Sequence, residues 1–223
     1  LLPDFSADVL AELNRIQAPA RANTESLGGA SGLRNLTDLL WASIDNDDSR
    51  DLDQLTVAEA MPPDKVKIFV AIADVDSSIK KGSAIDEHAH HNTTSVYTAA
   101  EIFPMLPEKV STDLTSLNYN EDRLSIVVEM LVDSNGSVQE SNIYKAWVRN
   151  QAKLAYNSVA AWLDKKGDLP AEIASLQGLA ENLQMQDRAA QSMKNLRHLH
   201  GALSLETIQS KPVFIEDQVS ALE

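Results

Sequence analysis

Ser43-Ile44-Asp45-Asn46-Asp47-Asp48-Ser49-Arg50-Asp51-Leu52-Asp53-Gln54-Leu55 carries five aspartates, Asp45, Asp47, Asp48, Asp51 and Asp53, within nine consecutive positions. Charges of one sign at that density repel, so either bulk water or a cation must offset them. An all-oxygen, thiol-free donor set suits Mg²⁺, Mn²⁺ or Ca²⁺ and not zinc or copper. A calcium EF-hand loop begun at Asp45 places Arg50 where glycine is required and Thr56 where glutamate is required, which excludes it. Two readings remain: a Mg²⁺ site that shares its ion with a substrate phosphate, and a solvated acidic turn.

The flanks of this stretch point to a sheet. Leu52 to Met61 and Val66 to Val75 read as two strands joined by Pro62-Pro63-Asp64-Lys65, and the unbroken apolar run Ile68 to Ala73 suits a strand covered on both faces. Asp74 follows that run, either as a site residue or as a cap on the strand end. Further on, Leu124 to Val132 and Ser137 to Val148 bracket Asp133-Ser134-Asn135-Gly136, and Asn-Gly between apolar runs is a strong hairpin signal.

Helices are expected around these strands. Ser6 precedes Val9, Leu10, Leu13 and Ile16 at helical spacing. Gln151 to Leu163 places Ala152, Ala155, Val159 and Trp162 on one face, and Gly167 and Pro170 end it. Ala171 to His200 reads as a long helix whose apolar stripe pauses at Gln184–Asp187. The predicted class is α+β, with a mixed, largely antiparallel sheet flanked by helices. Residues 1–40 read as an N-terminal helix and a linker; Gly28 to Gly32 lacks the strand and the Lys-Ser/Thr that a phosphate-cradling loop needs.

With 223 residues and 43% apolar content the chain can bury one sizeable core. The absence of cysteine excludes disulfides and thiol chemistry and suits a reducing, cytoplasmic setting. No apolar run reaches the length of a membrane span. The net charge of −14 runs against a nucleic-acid partner, unless metal ions or basic segments elsewhere offset it. His88, His90 and His91 form no HExxH pattern and read as surface or substrate-facing groups before zinc ligands.

The acidic segment resembles the signature of the ribonuclease II/ribonuclease R (RNB-domain) exoribonucleases. There a Thr/Ser-Ile-Asp opens the motif and Arg-Asp-x-Asp-Asp closes it, matching Ser43-Ile44-Asp45 and Arg50-Asp51-Leu52-Asp53. The resemblance implies that Asp45, Asp51 and Asp53 bind Mg²⁺ (Mn²⁺ as a substitute), with Asp53 the most critical catalytic position. Gln54 departs from the pattern by replacing its last aspartate, and Asn92 stands where the family has an arginine. Thr94 to Tyr97 and Phe103-Pro104-Met105-Leu106-Pro107 resemble the next family block, with Tyr97 matching a tyrosine that holds the 3′ nucleotides. Lys153-Leu154-Ala155-Tyr156 resembles a Lys-Leu-x-Tyr segment whose tyrosine lies along the RNA path. His200 to Leu203 resembles a turn into a late strand, here near Lys211 to Ile215.

Together these blocks imply that residues 41–223 are the front part of an RNB-type catalytic domain. The implied activity is hydrolytic 3′→5′ degradation of single-stranded RNA to nucleoside 5′-monophosphates by a monomer. The remainder of the domain and flanking RNA-binding modules would lie outside this chain. A catalytically impaired RNA-binding relative is the alternative that Gln54 and the acidic balance keep open.

Overall fold

The computed structural model describes residues 2–19, 33–98, 101–204, 212–215 and 218–222. The glycine-rich stretch read as a linker therefore lies mostly outside the described residues. The chain opens with helix α1 (Ala7–Leu13), capped by the Ser6 hydroxyl accepting from the Val9 amide. Strands β1 (Arg34–Asn35), β2 (Ala42–Asp45), β3 (Gln54–Met61) and β4 (Lys65–Ala73) follow, then helix α2 (Ala84–Asn92) and the small ribbon of β5 (Val96–Tyr97) with β6 (Ile102–Phe103). The long hairpin is β7 (Asp122–Val132) and β8 (Val138–Arg149), and next comes β9 (Ala152–Ala155). Helices α3 (Tyr156–Leu163), α4 (Ala171–Ala174) and α5 (Leu179–Leu199) precede a second ribbon, β10 (Pro212–Ile215) with β11 (Gln218–Leu222).

Among the described residues, seven strands form one sheet in the order β1-β8-β7-β4-β3-β2-β9. The four central pairings are antiparallel, and the two outermost, β1 with β8 and β2 with β9, are parallel. The expected mixed, largely antiparallel sheet with flanking helices is present. One face carries the main core of Trp41, Leu55, Val57, Phe69, Ala71, Val127 and Ala146. The other face meets α3, α4 and α5 through Ala42, Leu154, Val159, Ile173, Leu179 and Leu183. Because β2 is short, the edge of β3 beyond it needs another partner. Asn182 of α5 supplies one, accepting from the Ala58 amide at 3.1 Å and donating to the Ala58 carbonyl at 2.8 Å.

Several expectations change. Ala152–Ala155 is a strand and not the first turn of a helix: Ala152 and Leu154 point inward while Lys153 points out, a period of two that the parallel partner β2 selects. The helix starts only at Tyr156. The long helix breaks before Gly178, which sits at φ +85°, and runs unbroken through Gln184–Asp187. The strand expected from Leu52 starts at Gln54, and Val75 falls in a 3₁₀ turn after β4. Asp74 makes no side-chain cap; its buried carboxylate pairs with Lys145 at 2.7 Å. Residues 33–40, read as lead-in, already belong to the sheet and core: β1 pairs with β8, and Leu36, Leu39 and Leu40 pack on the core. Of the histidines, His88 is buried, its ring tilted against Phe5 at 4.6 Å between centres and bonded to Asn92. Burial and the neighbouring His91 hold its pKa below the usual histidine value. Asn92, standing at the family's arginine position, is also buried and exchanges two hydrogen bonds with the Leu2 backbone, so it fastens the N-terminal segment. Among the described residues, no helix is long and apolar enough to cross a membrane.

A charged cluster closes the rim of the core. Glu129 accepts from the Tyr144 hydroxyl at 2.7 Å and pairs with Lys67 at 3.0 Å and Arg34 at 3.4 Å, while the Arg34 guanidinium lies 3.7 Å from the Tyr144 ring centre. Burial alone would raise the Glu129 pKa, but the bonds from Tyr144 and Lys67 and the charges of Lys67 and Arg34 outweigh it and hold the carboxyl below its ordinary value. Burial and the Glu129 carboxylate push Tyr144 up to about 12. A depressed carboxyl stabilises the fold above its ordinary pKa and loses that contribution as the pH falls through its lowered value. Glu129→Gln is therefore expected to cost about 1.5–3 kcal/mol at neutral pH, the usual worth of bonds to a charged group. The difference from wild type should shrink once the pH drops below the ordinary value of 4.5. Denaturant titrations of both proteins across that range check it, and a pH-independent difference would count against the assignment.

Candidate active site

The acidic stretch lies where three strands end together. β2 finishes at Asp45, β3 starts at Gln54, and the parallel register sets Asp45 beside Ala155, the residue before Tyr156. Residues 46–53 bridge β2 and β3 at this end of the sheet, with Asp47 and Asp48 exposed at the tip. Leu52 anchors the bridge by burying its side chain in the main core, so that Asp51 and Asp53 stand on either side of a fixed point. The Asp53 carbonyl accepts from the Ala73 amide, which fastens the start of β3 to the end of β4.

Each motif aspartate has a distinct environment. Asp45 Oδ1 accepts from the Asn46 amide at 2.8 Å and from the Ser49 hydroxyl at 2.9 Å. Asp51 Oδ2 receives the Tyr97 hydroxyl at 3.4 Å. Asp53 reaches solvent, yet desolvation by the surrounding protein, followed by the charges of Asp51 and Asp45, raises its pKa above the ordinary value of 3.8. The same region raises the pKa of Tyr97 through desolvation, then through the charge and hydrogen bond of Asp51.

Asp45, Asp51 and Asp53 do not close into the ligand cluster that the sequence reading expects: among the described residues no three His, Cys, Asp or Glu groups are gathered so as to hold a metal ion. Asp45 and Asp51 are instead hydrogen-bonded to separate partners, Ser49 and Tyr97. The donor chemistry nonetheless fits a hard divalent ion. Mg²⁺ ordinarily takes one or two protein carboxylates and completes its shell with waters and phosphate oxygens, so an open arrangement suits it better than a closed cage would.

Tyr97 and Tyr156 flank this centre as exposed rings, with 66% and 47% of their surface accessible. Tyr156, at the start of α3, lines a cavity of about 290 Å³ with Ile44, Gln54, Thr56, Val159 and Leu163. Gln54 therefore belongs to the wall of that cavity, next to Asp53 in sequence. Lys153, on the exposed side of β9, donates to the Ser49 carbonyl at 2.7 Å and brings a cation to the acidic bridge. Arg50 pairs with Glu108 at 2.7 Å on the surface. Sequence reasoning missed Ser49, whose position four residues after Asp45 is the only local hint of their bond.

The profile of the RNB domain matches residues 33–223. The chain belongs to the RNB-domain family. It is 32% identical over 193 residues to "Ribonuclease R" of Vibrio parahaemolyticus, covering 86% of this chain and 23% of that protein. It is also 32% identical over 185 residues to "Exoribonuclease 2" of Escherichia coli O157:H7, covering 82% and 28%. Mycoplasma genitalium RNase R, solved in complex with double-stranded RNA, superposes with a TM-score of 0.77 at 25% identity, over 94% of this chain and 39% of that one. Yeast Ssd1, described as a pseudonuclease, shares the fold alone: TM-score 0.57, 19% identity, 75% of this chain and 20% of that one. The chain thus spans about a quarter of the curated relatives it matches.

Proposed function

We propose that this chain is part of a hydrolytic 3′→5′ exoribonuclease that degrades single-stranded RNA to nucleoside 5′-monophosphates, with Asp45, Asp51 and Asp53 holding Mg²⁺ or, in its place, Mn²⁺. The observation that carries the reading is the placement of the acidic bridge, Asp45 to Asp53, at one end of the sheet of an RNB domain, with two exposed tyrosines beside it. When bound, a divalent ion polarises the scissile phosphate and lowers the pKa of a water to supply hydroxide. The work of this chain is to hold and orient. Asp53 matches the position that the family resemblance makes most critical, so its removal should cost most. Tyr97, hydrogen-bonded to Asp51, offers a face for the last base, and Tyr156 beside the Gln54 cavity offers one for another. Stacking of this kind, about 1–3 kcal/mol per base, is indifferent to sequence, as general RNA degradation requires. Lys153 adds positive charge at the mouth of a chain whose net charge is −14. A cysteine-free monomer of this kind suits the cytoplasm.

The test is degradation of 5′-labelled RNA with Mg²⁺ and then with EDTA, by a polypeptide containing this chain. A ladder that shortens from the 3′ end only with the metal supports the enzyme. Gln54 favours a second reading, since an amide at the family's last aspartate position leaves one fewer negative charge for a metal. On that reading the protein is a catalytically impaired RNA binder, and the assay would show binding without shortening. Neither binding nor shortening would leave only a solvated acidic bridge.

A further inference from the structure

The residues on either side of Asp51 converge on one hydroxyl. The Ser116 side chain, with none of its surface exposed, accepts from the Leu52 amide at 3.0 Å. Its single proton reaches Asn118 Oδ1 at 2.9 Å and the Arg50 carbonyl at 3.2 Å. The next residue completes the clamp, because the Leu117 amide donates to the Leu52 carbonyl at 2.8 Å. Both backbone groups of Leu52 are therefore held by residues 116 and 117, and Arg50 is held by residue 116 as well.

The clamp is itself braced. Arg123 Nε donates to the Ser116 carbonyl at 3.1 Å, and the Asn118 amide donates to the Thr112 carbonyl at 3.3 Å, which leaves Asn118 Oδ1 as the acceptor that Ser116 needs. Buried Asn150 then links the clamp to the other half of the acidic motif. Its amide donates at 3.0 Å to both the Leu117 carbonyl and the Ser43 hydroxyl, two residues before Asp45.

We infer that Ser116 is a positioning residue: its hydroxyl fixes Asp51 and Asp53 relative to Asp45 and so sets the affinity for the divalent ion, an assignment that rests on the function proposed above. Removing the hydroxyl leaves the Leu52 amide without its acceptor and the Arg50 carbonyl without its donor, so that the bridge on either side of Asp51 is held less firmly while the Leu117–Leu52 bond remains. Loss of a group that orients metal ligands typically weakens metal affinity or activity about 10–100-fold.

The experiment compares wild type, Ser116→Ala and Ser125→Ala. Ser125 is an equally buried serine whose hydroxyl donates to the Ala146 carbonyl at 3.2 Å within the sheet, and it serves as the control for a lost buried hydrogen bond. Three quantities are measured: Mg²⁺ affinity by calorimetry, hydrogen exchange of the Leu52 amide, and the Mg²⁺ dependence of kcat and KM for RNA. Ser116→Ala is expected to weaken Mg²⁺ by about tenfold or more, to speed Leu52 exchange, and to lower kcat with little change in KM. Ser125→Ala should lower the Tm and leave the Mg²⁺ affinity as in wild type. Wild-type Mg²⁺ affinity or wild-type Leu52 exchange in Ser116→Ala overturns the inference, as does an equal loss of Mg²⁺ affinity in Ser125→Ala. A wild type that binds Mg²⁺ but degrades no RNA removes the exoribonuclease reading alone, and calorimetry and exchange then decide on Ser116. A wild type that binds no Mg²⁺ overturns both.

Discussion

Asp53→Asn is expected to abolish RNA degradation while leaving RNA binding intact. Metal-assisted charge stabilisation contributes several kcal/mol to such reactions, and each 1.4 kcal/mol is about a factor of ten, so the rate should fall by roughly a thousandfold or more. Binding should survive because Tyr97 and Tyr156, and not Asp53, present the aromatic surfaces. The electrostatics add a second, opposite signature. Asp53 has a raised pKa in the folded chain, so ionising it costs folding free energy; the stability is full below its ordinary value and is lost as the pH rises through the raised one. In EDTA at neutral pH the variant should therefore melt at a higher temperature than wild type. Added Mg²⁺ should reverse the order by stabilising wild type alone. Degradation by purified Asp53→Asn at the wild-type rate would sink the catalytic assignment, and a lower Tm in EDTA would sink the electrostatic one.

Trp41→Ala should have the largest effect on stability, about 3–5 kcal/mol. Trp41 is fully buried, its indole nitrogen donates to the Leu36 carbonyl at 2.8 Å, and its ring meets Phe69 edge-on at 6.2 Å between centres. Truncation would open a cavity in the main core and leave the Leu36 carbonyl short of a donor. The effect should extend to the site, because Trp41 immediately precedes β2 and its carbonyl accepts from the Gln151 amide just before β9. Urea denaturation measures the loss. A change below about 1 kcal/mol, the scale of ordinary surface substitutions, would mean that this packing matters little.

The parts of the fold that are readable in the sequence are those set by neighbouring residues. The β7–β8 hairpin is legible because Asn135-Gly136 supplies a turn, with Gly136 at φ +85°, between two runs that already favour strands. β9 is not legible: Ala152 and Leu154 occur at a spacing that also suits a helix entering Tyr156, and only β2, more than a hundred residues earlier, makes the segment a strand. The break before Gly178 escaped for a related reason. Gln184, Gln186 and Asp187 look like an interruption, but the Asn182 amide bonds the sheet and Gln186 bonds Asn182, so polarity on that face is compatible with packing.

The candidate site divides in the same way. The aspartates and tyrosines stand out through motif spacing. Ser116 and Asn150 do not, since a lone serine or asparagine acquires meaning only when partners 66 and 107 positions away arrive beside it.

The parallel pairing of Asp45 with Ala155 has a consequence for biosynthesis. A ribosome releases the entire acidic bridge well before it makes β9, and until that strand docks, the edge of β2 has no neighbour and Tyr156 has no place beside it. Closing so long a loop comes late in folding. An emerging polypeptide of this kind would therefore carry every aspartate of the bridge before the strand that sets Tyr156 beside it has been made.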